Sequence, residues 1–437
     1  MHDTRARRWL LMLLMCAMPA LPARAGAVVD AARLGRELDA WARAFADAGL
    51  LSGNLLVTHQ DHVLLERSWG WADAERKQRN TPATRFNIAS ITKPMTVAVA
   101  IQLLDEGSLA MSDPLSKWIA DFPNGDSITV GMLLQHRSGI PHRVTQDADE
   151  RVPHTAADMV EFAKHVRLEF PPGSRESYSS GGFSVLARVL ELASGKSYGE
   201  LLTERLFRPL AMTSSFHPYA HTDTAHCALS YVPEPGRIVR APHQDYSFLV
   251  GAGSVWSTPR DLHKLIAAEL SGALGESVRR STFRRARVAW NGSTNGYRAF
   301  ASYDTASQYA VIFTGNLHSG AVDELKAAVD SLLAGRPPKP ASKLPARAAP
   351  VAPTVLASYE GAYNIANNPS LAVRATATGL DVNGWAVMPT SDSTFFSFRD
   401  FGKLTAWRDS AGRFMGFDWN VAGQVFKCPR VGPLPPR

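Results

Sequence analysis

Cysteine, long apolar runs and a strong excess of one charge are all scarce in this chain. Only three of its 437 residues are cysteines, so the fold does not rest on a disulfide framework. Hydrophobic residues make up 45% and charged residues 20% of the chain, as in an ordinary soluble globular protein. The net charge of +7 is mild, and no block of basic residues is interleaved with aromatics. Nucleic-acid binding is therefore not indicated.

The N-terminus has the pattern of a secretory signal peptide. Three basic residues among the first eight precede the apolar stretch 9–21, and Ala23-Arg24-Ala25 supplies the small residues that a signal peptidase reads. We predict a signal peptide over residues 1–25, cleavage before Gly26, and a periplasmic or secreted protein. The apolar stretch is shorter than the roughly 20 residues of a spanning helix, so no stable membrane span is expected after cleavage. Cys16 leaves lipid modification as a minor alternative.

Two cysteines, Cys227 and Cys428, remain after that cleavage. In an oxidising compartment they could form a disulfide, or they could be two buried thiols, and the spacing alone does not decide. Cys227 also lies close in sequence to His217, His221 and His226. That spacing fits no zinc pattern, so the sequence predicts no metal and no cofactor.

The stretch with most chemical content is Phe86-Asn87-Ile88-Ala89-Ser90-Ile91-Thr92-Lys93-Pro94. Apolar residues continue at helical spacing to Gly107, which predicts a helix over about 90–106. Because residues i and i+3 share a helix face, the Ser90 hydroxyl and the Lys93 ammonium can meet. A serine needs a neighbour to take its proton before it becomes a nucleophile, and a buried lysine can be that neighbour.

Hydrophobic periodicity and turn residues divide the chain into a large mixed region and a small β-rich tail. Further helices are predicted at 28–48, 127–135, 181–193, 198–206, 259–270 and 323–333, and strands at 53–58, 63–69, 288–302 and 309–314. Residues 336–354 are rich in Pro, Ala and basic side chains, which is typical of a linker. Beyond them, 355–437 alternates with period two between turn signals, which predicts a small antiparallel barrel or sandwich.

Three segments follow one another in a telling order: Ser90-x-x-Lys93, then Tyr178-Ser179-Ser180, then Trp290-Asn291-Gly292-Ser293 before a strand. In this order the chain resembles the serine β-lactamase and penicillin-binding-protein superfamily, in its class C-like branch. The stretches Leu133-Leu134-Gln135-His136-Arg137-Ser138-Gly139-Ile140-Pro141 and Ser257-Thr258-Pro259-Arg260-Asp261-Leu262 match the same branch. The resemblance implies an α+β fold, in which an antiparallel sheet flanked by helices and a helical lobe form a serine hydrolase domain over 26–335.

The resemblance also implies roles for individual residues. Ser90 would be acylated, and Lys93 and Tyr178 would share its proton, with Tyr178 as the general base and then the acid to the leaving group. The backbone N–H groups of Ser90 and Ser293 would form the oxyanion hole. Gly292 would be needed because a side chain there would block substrate lying along the strand.

Two motif positions depart from the family pattern and concern substrate binding. Ser180 stands where the second motif usually ends in Asn, and Trp290 stands where the third usually begins with Lys or His. Trp cannot hold a substrate carboxylate by charge, although Arg298 on the same predicted strand could partly substitute. We therefore expect substrate contacts from Ser180, Trp290, Asn291, Gly292 and Arg298. His136 and His142, on either side of the Ser-Gly-Ile-Pro turn, are interpreted as structural.

The working hypothesis is an exported serine hydrolase that opens esters or small amides through an acyl-enzyme on Ser90. Its partner would be a small-molecule or peptide acyl substrate, and the third motif is similar to that of family VIII carboxylesterases. Within the enzyme class, a D-amino-acid peptidase, a peptidoglycan-processing enzyme and a weak β-lactamase remain alternatives. Outside it, the alternative is a catalytically weak envelope binding protein. The tail at 355–437 resembles the small lipocalin-like β-domains appended to some family members.

Overall fold

The computed structural model describes residues 29–218, 226–234, 236–282, 287–342, 344–345, 348–365 and 368–434. The predicted signal peptide and His221 lie outside the described residues. The described helices are α1 (Ala31–Asp47), α2 (Thr92–Asp105), α3 (Val130–Leu134), α4 (Ala156–Lys164), α5 (Ser180–Ser194), α6 (Tyr198–Leu202), α7 (Pro259–Ser271), α8 (Glu276–Thr282), α9 (Ala321–Leu333) and α10 (Pro353–Ser358). Short 3-10 turns cover Ala89–Ile91, Leu115–Lys117, Asp149–Arg151 and Tyr246–Leu249, and a π-helical turn covers Thr203–Phe207.

The strands of the first part of the chain are β1 (Gly53–His59), β2 (His62–Trp69), β3 (Trp71–Asp73), β4 (Gln78–Arg79), β5 (Phe86–Asn87), β6 (Tyr231–Glu234), β7 (Arg237–Arg240), β8 (Trp256–Ser257), β9 (Arg287–Ser293), β10 (Arg298–Asp304) and β11 (Tyr309–Gly315). Those of the tail are β12 (Gly361–Ile365), β13 (Asn368–Ala375), β14 (Leu380–Val382), β15 (Trp385–Pro389), β16 (Thr394–Ser397), β17 (Lys403–Arg408), β18 (Phe414–Val421) and β19 (Gln424–Gly432).

A five-stranded antiparallel sheet, in the order β2-β1-β11-β10-β9, forms the centre of the first part. One face packs against α1 and α9 through Leu38, Phe45 and Leu325. The other face packs against the helical region that contains α2, α5 and α7, with Ala301 and Ile312 of the sheet in that core. The sheet therefore separates two apolar cores, and β9 lies at its edge.

Helix boundaries follow from capping residues that can be read in the sequence. The Thr258 side chain accepts a hydrogen bond from the N–H of Asp261, Pro259 occupies the first turn, and Gly272 ends α7 with a φ of 77°. A proline at the first position and a left-handed glycine after the last are the favoured ends of a helix. The helices predicted at 28–48, 90–106 and 323–333 are confirmed to within a few residues.

One strand prediction was wrong in detail. The stretch 288–302 was expected to be one strand, but it is the two strands β9 and β10, joined by a turn in which Thr294 N–H donates to the carbonyl of Tyr297. Gly296, at a φ of 89°, allows that turn. The α+β fold class is confirmed by the mixed layers and by the barrel that follows them.

The tail forms a closed barrel of strands β12 to β19, so the barrel alternative is correct rather than the sandwich. Its interior is filled by aromatic side chains: Tyr359, Tyr363, Phe395 and Phe417 are each at most 1% exposed. The ring centroids of Tyr359 and Phe417 lie 5.4 Å apart. Aromatic groups of this size contribute strongly to burial, and the barrel is a packed core.

The predicted linker is packed against the first part of the chain. The Trp41 indole on α1 donates to the carbonyl of Lys339, and Ser342 hydrogen-bonds Glu324 on α9. The barrel also touches this surface, where the rings of Phe45 and Phe401 lie 5.5 Å apart. Among the helices of the described residues, none combines the length and apolar character needed to cross a membrane.

Candidate active site

Ser90 lies in the 3-10 turn Ala89–Ile91, which leads directly into α2. Ala89, just before it, has a φ of 48°, a left-handed conformation that costs a non-glycine residue roughly 1–2 kcal/mol. The Asn87 side chain accepts a hydrogen bond from the N–H of Ala89 at 3.1 Å and donates to the carbonyl of Gly253 at 2.9 Å. These contacts hold the strained turn, and strain of this kind is concentrated at functional sites.

The Lys93 ammonium is the centre of the polar site. Its Nζ donates to Ser90 Oγ at 3.4 Å, to Ser180 Oγ at 3.2 Å and to the carbonyl of Ala252 at 2.9 Å. Lys93 is 5% exposed, and none of the ion pairs in the described part of the chain involves it. Burial therefore lowers the pKa of Lys93 to about 7, because a charged amine without a counter-ion is poorly solvated inside the protein.

Tyr178 lies beside Ser90 and Lys93. Burial raises the pKa of Tyr178 to about 12, and the nearby Ser90 side chain opposes that rise. Lys93 Nζ lies 4.6 Å from the centre of the Tyr178 ring. The structure thus brings Ser90, Lys93, Tyr178 and Ser180 together. The spacing of Ser90 and Lys93 predicted their contact, whereas the place of Tyr178 and Ser180 beside them was implied by the family resemblance.

His136 and His142 contact this group, although they were interpreted only as structural residues. Their ring centroids lie 4.7 Å and 5.5 Å from that of Tyr178. His136 Nδ1 accepts a hydrogen bond from the N–H of Ser179, the residue after Tyr178. Burial and the nearby charge of Lys93 lower the pKa of His136 to about 4, so His136 is neutral at physiological pH and packs as an uncharged ring.

Gly292 brings β9 against the turn that carries Ser90. A Cβ atom on Gly292 would lie 2.2 Å from the carbonyl oxygen of Ile88 and 3.2 Å from the Cβ of Ala89. The need for glycine is therefore set by backbone packing, a different reason from the blocked substrate path inferred from the sequence. The close packing of Gly292 on Ile88 and Ala89 places the end of β9, with the N–H of Ser293, next to the turn that carries the N–H of Ser90.

Strand alternation divides the third-motif residues between the two faces of the sheet. Trp290 is paired with Ala301, so it lies on the face of Ser90 and packs against the helical core. Asn291 and Ser293 are paired with Phe300 and Arg298, on the face covered by α1 and α9. The side chains of Asn291 and Ser293 therefore point away from Ser90, so side-chain contacts to a substrate bound at Ser90 are not expected from either residue.

Arg298 is not brought to the site. Its guanidinium donates to Asp323 at 2.6 Å and to His318 at 3.4 Å, on the opposite face of the sheet from Ser90. The side chain is 12% exposed, so its charge is already engaged. The interpretation of Arg298 as a substitute cation for a substrate carboxylate is not supported by this geometry.

Replacing Gly292 with alanine is expected to lower both stability and the reactivity of Ser90. The new Cβ must push β9 away from Ile88, at a cost of about 1–3 kcal/mol, and a shift of about 1 Å in the oxyanion donors can lower a rate ~100-fold. Urea denaturation and the rate of labelling by a fluorophosphonate measure the two effects. Gly432→Ala is the matched control, because nothing lies within 4 Å of a Cβ there. Equal behaviour of the two variants would contradict the packing argument.

Some contributors to the site carry no signal in the sequence. The carbonyl of Ala252 accepts a hydrogen bond from Lys93, and backbone acceptors cannot be identified from residue type.

The residues considered for a metal or a disulfide have other environments. His217, one of the residues considered for a metal, instead hydrogen-bonds Ser254 at 2.9 Å. Within the described ranges, no group of three or more His, Cys, Asp or Glu side chains could hold a metal ion. Cys227 and Cys428 are not joined by a disulfide.

The chain belongs to the Beta-lactamase family, whose family model matches residues 38–334. It is 26% identical over 261 residues to a putative penicillin-binding protein, PbpX, of Bacillus subtilis (strain 168), covering 60% of this chain and 65% of that protein. It is 32% identical over 228 residues to the D-alanyl-D-alanine-carboxypeptidase/endopeptidase AmpH of Escherichia coli (strain K12), covering 50% and 58%. The chain thus spans less than two thirds of these relatives.

Solved structures share the fold. A penicillin binding protein from Bacillus halodurans superposes with a TM-score of 0.59 at 25% identity, over 68% of this chain and 98% of that one. D-amino acid amidase from Ochrobactrum anthropi SV3 gives 0.58 at 20%, over 65% and 92%. The structure of SurE gives 0.61 at 20%, over 92% and 99%, so that likeness extends across most of the barrel as well.

Proposed function

We propose that this chain is an exported serine hydrolase that cleaves small esters or amides through an acyl-enzyme on Ser90. The observation that carries the proposal is the buried Lys93 ammonium, 3.4 Å from Ser90 Oγ, with a pKa lowered to about 7. At neutral pH a large fraction of Lys93 is the free amine, which can accept the serine proton. Export rests on the predicted signal peptide at residues 1–25.

In the proposed acylation step, Ser90 Oγ attacks the carbonyl carbon of the substrate and its proton passes to Lys93 Nζ. The negative charge on the carbonyl oxygen is stabilised by the backbone N–H groups of Ser90 and Ser293. When the bond to the leaving group breaks, the leaving group takes a proton through the Tyr178 hydroxyl, which Lys93 restores. Water then attacks the acyl ester and gives a proton to Lys93. Lys93 returns that proton to Ser90 Oγ as the bond between Oγ and the acyl carbon breaks, which releases the acid and free Ser90.

This assignment gives Lys93, rather than Tyr178, the role of general base. Burial raises the pKa of Tyr178 to about 12, so a tyrosinate is rare at neutral pH, whereas neutral Lys93 is common. A catalytic base works best when its pKa lies near the working pH. Tyr178, which lies beside Ser90 and Lys93, is better suited to relay a proton than to remove one.

The third motif argues for substrates without a carboxylate next to the scissile bond. Trp290 supplies no charge at the position where a lysine or histidine usually stands, and Arg298 is paired with Asp323 on the other face. A carboxylate buried in the cleft without a cation would be costly. Simple esters and amides are therefore favoured over β-lactams. Cleavage of D-aminoacyl amides is a second candidate, supported by the peptidase name of AmpH.

A substrate panel tests the proposal. Short-chain p-nitrophenyl esters and D-alanine p-nitroanilide should be turned over faster than nitrocefin, and mass spectrometry of trapped enzyme should place one acyl group on Ser90. Faster turnover of nitrocefin would show that the missing cation does not matter. Absence of any adduct on Ser90 across esters, amides and a fluorophosphonate would favour a catalytically weak binding protein.

A further inference from the structure

His318 lies at the junction between the sheet and the barrel, shortly after β11 ends at Gly315. It is 3% exposed. Its Nδ1 is 3.2 Å from the carbonyl oxygen of Thr294, and its Nε2 is 3.4 Å from both Arg298 Nη1 and Arg399 Nε. A single buried imidazole therefore connects β10, the turn after β9 and the barrel.

The partners of His318 determine where its proton sits. A guanidinium can only donate, so Nε2 is the acceptor; a carbonyl can only accept, so Nδ1 carries the hydrogen and donates to Thr294. Protonation would place an Nε2 hydrogen against two cations. Burial and the charges of Arg298 and Arg399 accordingly hold the pKa of His318 well below its usual range.

The barrel supplies two of the side chains that hold His318. The Trp385 ring lies 4.7 Å from the imidazole, in an edge-on arrangement. The guanidinium carbon of Arg399 lies 4.1 Å above the Trp385 ring, which is a close cation–π contact. Nearby, the N–H of Gly320 donates to the carbonyl of Phe398 at 3.1 Å, so the backbones are joined as well.

Thr294 extends this chain of contacts to the nucleophile. It directly follows Ser293, and its Oγ1 donates to Asn87 Oδ1 at 3.4 Å. The same Asn87 oxygen accepts the N–H of Ala89, which precedes Ser90. One polar path thus runs from the barrel, through His318 and Thr294, to both segments that carry the proposed oxyanion donors.

We propose that Arg399 and His318 are positioning residues for the oxyanion hole, so that the C-terminal barrel is part of the catalytic assembly. Arg399 holds the imidazole, the imidazole holds the Thr294 carbonyl, and Thr294 fixes the end of β9 beside Ser90. This inference rests on the proposed serine hydrolase function. It assigns the barrel a role that an appended ligand-binding domain would not have.

Kinetics of four variants test the inference on the full-length protein with p-nitrophenyl acetate. Arg399→Met keeps the apolar stem but removes the donor, and kcat should fall ~10-fold with KM within about twofold, because oxyanion alignment acts in the transition state. His318→Leu should lower kcat by a similar factor. His318→Asn should retain more activity, since an amide N–H can still donate to Thr294. Arg413→Met, on an exposed turn beside Asp409, is the matched control and should behave as wild type.

The pH profile separates positioning from simple support of the fold. The charged groups around His318 are Arg298 from β10 and Arg399 from the barrel, with Asp323 and Asp400 beside them. Removing Arg399 takes away one cation and raises the pKa of His318 toward the limb that Lys93 sets near pH 7. Below pH 7, kcat should therefore fall more steeply with decreasing pH in Arg399→Met, and as in wild type in Arg413→Met. Thermal unfolding checks that the variants are folded.

Each outcome decides the matter. The inference is overturned if Arg399→Met keeps the kcat and the pH profile of wild type. It is also overturned if His318→Leu and His318→Asn lose equal activity and that loss is explained by a lower folded fraction. If His318→Leu does not fold, the comparison of His318→Asn with Arg399→Met still decides. A wild-type enzyme that no fluorophosphonate labels on Ser90 overturns the proposed function and this inference with it, whereas labelled wild type with an unaffected Arg399→Met overturns the inference alone.

Discussion

Replacing Ser90 with alanine is expected to abolish turnover of short-chain p-nitrophenyl esters and labelling by a fluorophosphonate. In the proposed mechanism the acyl bond forms on Ser90 Oγ, so removal of this atom leaves only the substrate-binding and oxyanion contacts. Loss of the nucleophile in a serine hydrolase typically lowers kcat by ~10⁴-fold or more. Stopped assays at high enzyme concentration, with intact-mass measurement of the probe adduct, would record both losses.

Ser271→Ala is the matched control for that experiment. Ser271 ends α7 and its hydroxyl donates to the carbonyl of Ala268, far from the polar site in sequence and role. The same one-oxygen deletion there should leave labelling intact. Unchanged ester turnover in Ser90→Ala would show that Ser90 is not the nucleophile and that the reaction does not pass through an acyl-enzyme on this residue.

Replacing Lys93 with methionine is expected to lower kcat by ~10³-fold. Methionine fills a similar volume without charge, so the site can remain folded while the proton acceptor is lost, and general bases contribute about 10²–10⁴-fold. In wild type, kcat/KM should rise with pH through about 7, as Lys93 loses its proton; that limb should vanish in the variant. Lys326→Met, at a partly exposed position of α9 beside Asp330, is the control.

The same substitution should raise stability, with a definite dependence on pH. Lys93 has a pKa of about 7 when folded, against an ordinary value of 10.5, so folding releases a proton between those values. Wild-type stability therefore rises with pH across that window and is lowest at and below about pH 7. The gain in Tm of Lys93→Met should be largest at pH 7 and shrink toward pH 10.5. A lower Tm at pH 7 would contradict the burial argument.

The Ser90–Lys93 spacing predicted a contact that the structure contains, because helical geometry is local. Tyr178 was added to the predicted site because its motif lies between the other two in the order typical of the family. The direction of Arg298 could not be predicted in the same way. Its face follows from the register of β9 against β10, and the sequence pattern 288–302 had suggested one strand where a turn at Gly296 makes two. In one continuous strand Arg298 would share a face with Trp290, whereas the register of the hairpin puts Arg298 on the opposite face, with Asn291 and Ser293.

The role of His318 was also beyond the sequence. Its partners come from residues 294, 298 and 399, and such contacts depend on how the barrel packs against the central sheet. The linker prediction at 336–354 likewise rested on composition, which does not show that Trp41 and Glu324 hold this segment. Local caps, periodicity and motif order were readable, whereas side-chain direction at long sequence separation was set by tertiary packing.

The pairing of β1 with β11 has a consequence for the order of events during synthesis. Gly53 lies opposite Gly315, so the central ladder of the sheet cannot close until more than 250 further residues have left the ribosome. Loop closure over such a distance is slow and follows the formation of local hairpins. Phe45 of α1 then meets Phe401 of the barrel, which emerges later still. Ser90, the proposed nucleophile, is made early, but β9, which carries the proposed second oxyanion donor, is made late. A chain interrupted before β9 would therefore carry the serine without that donor.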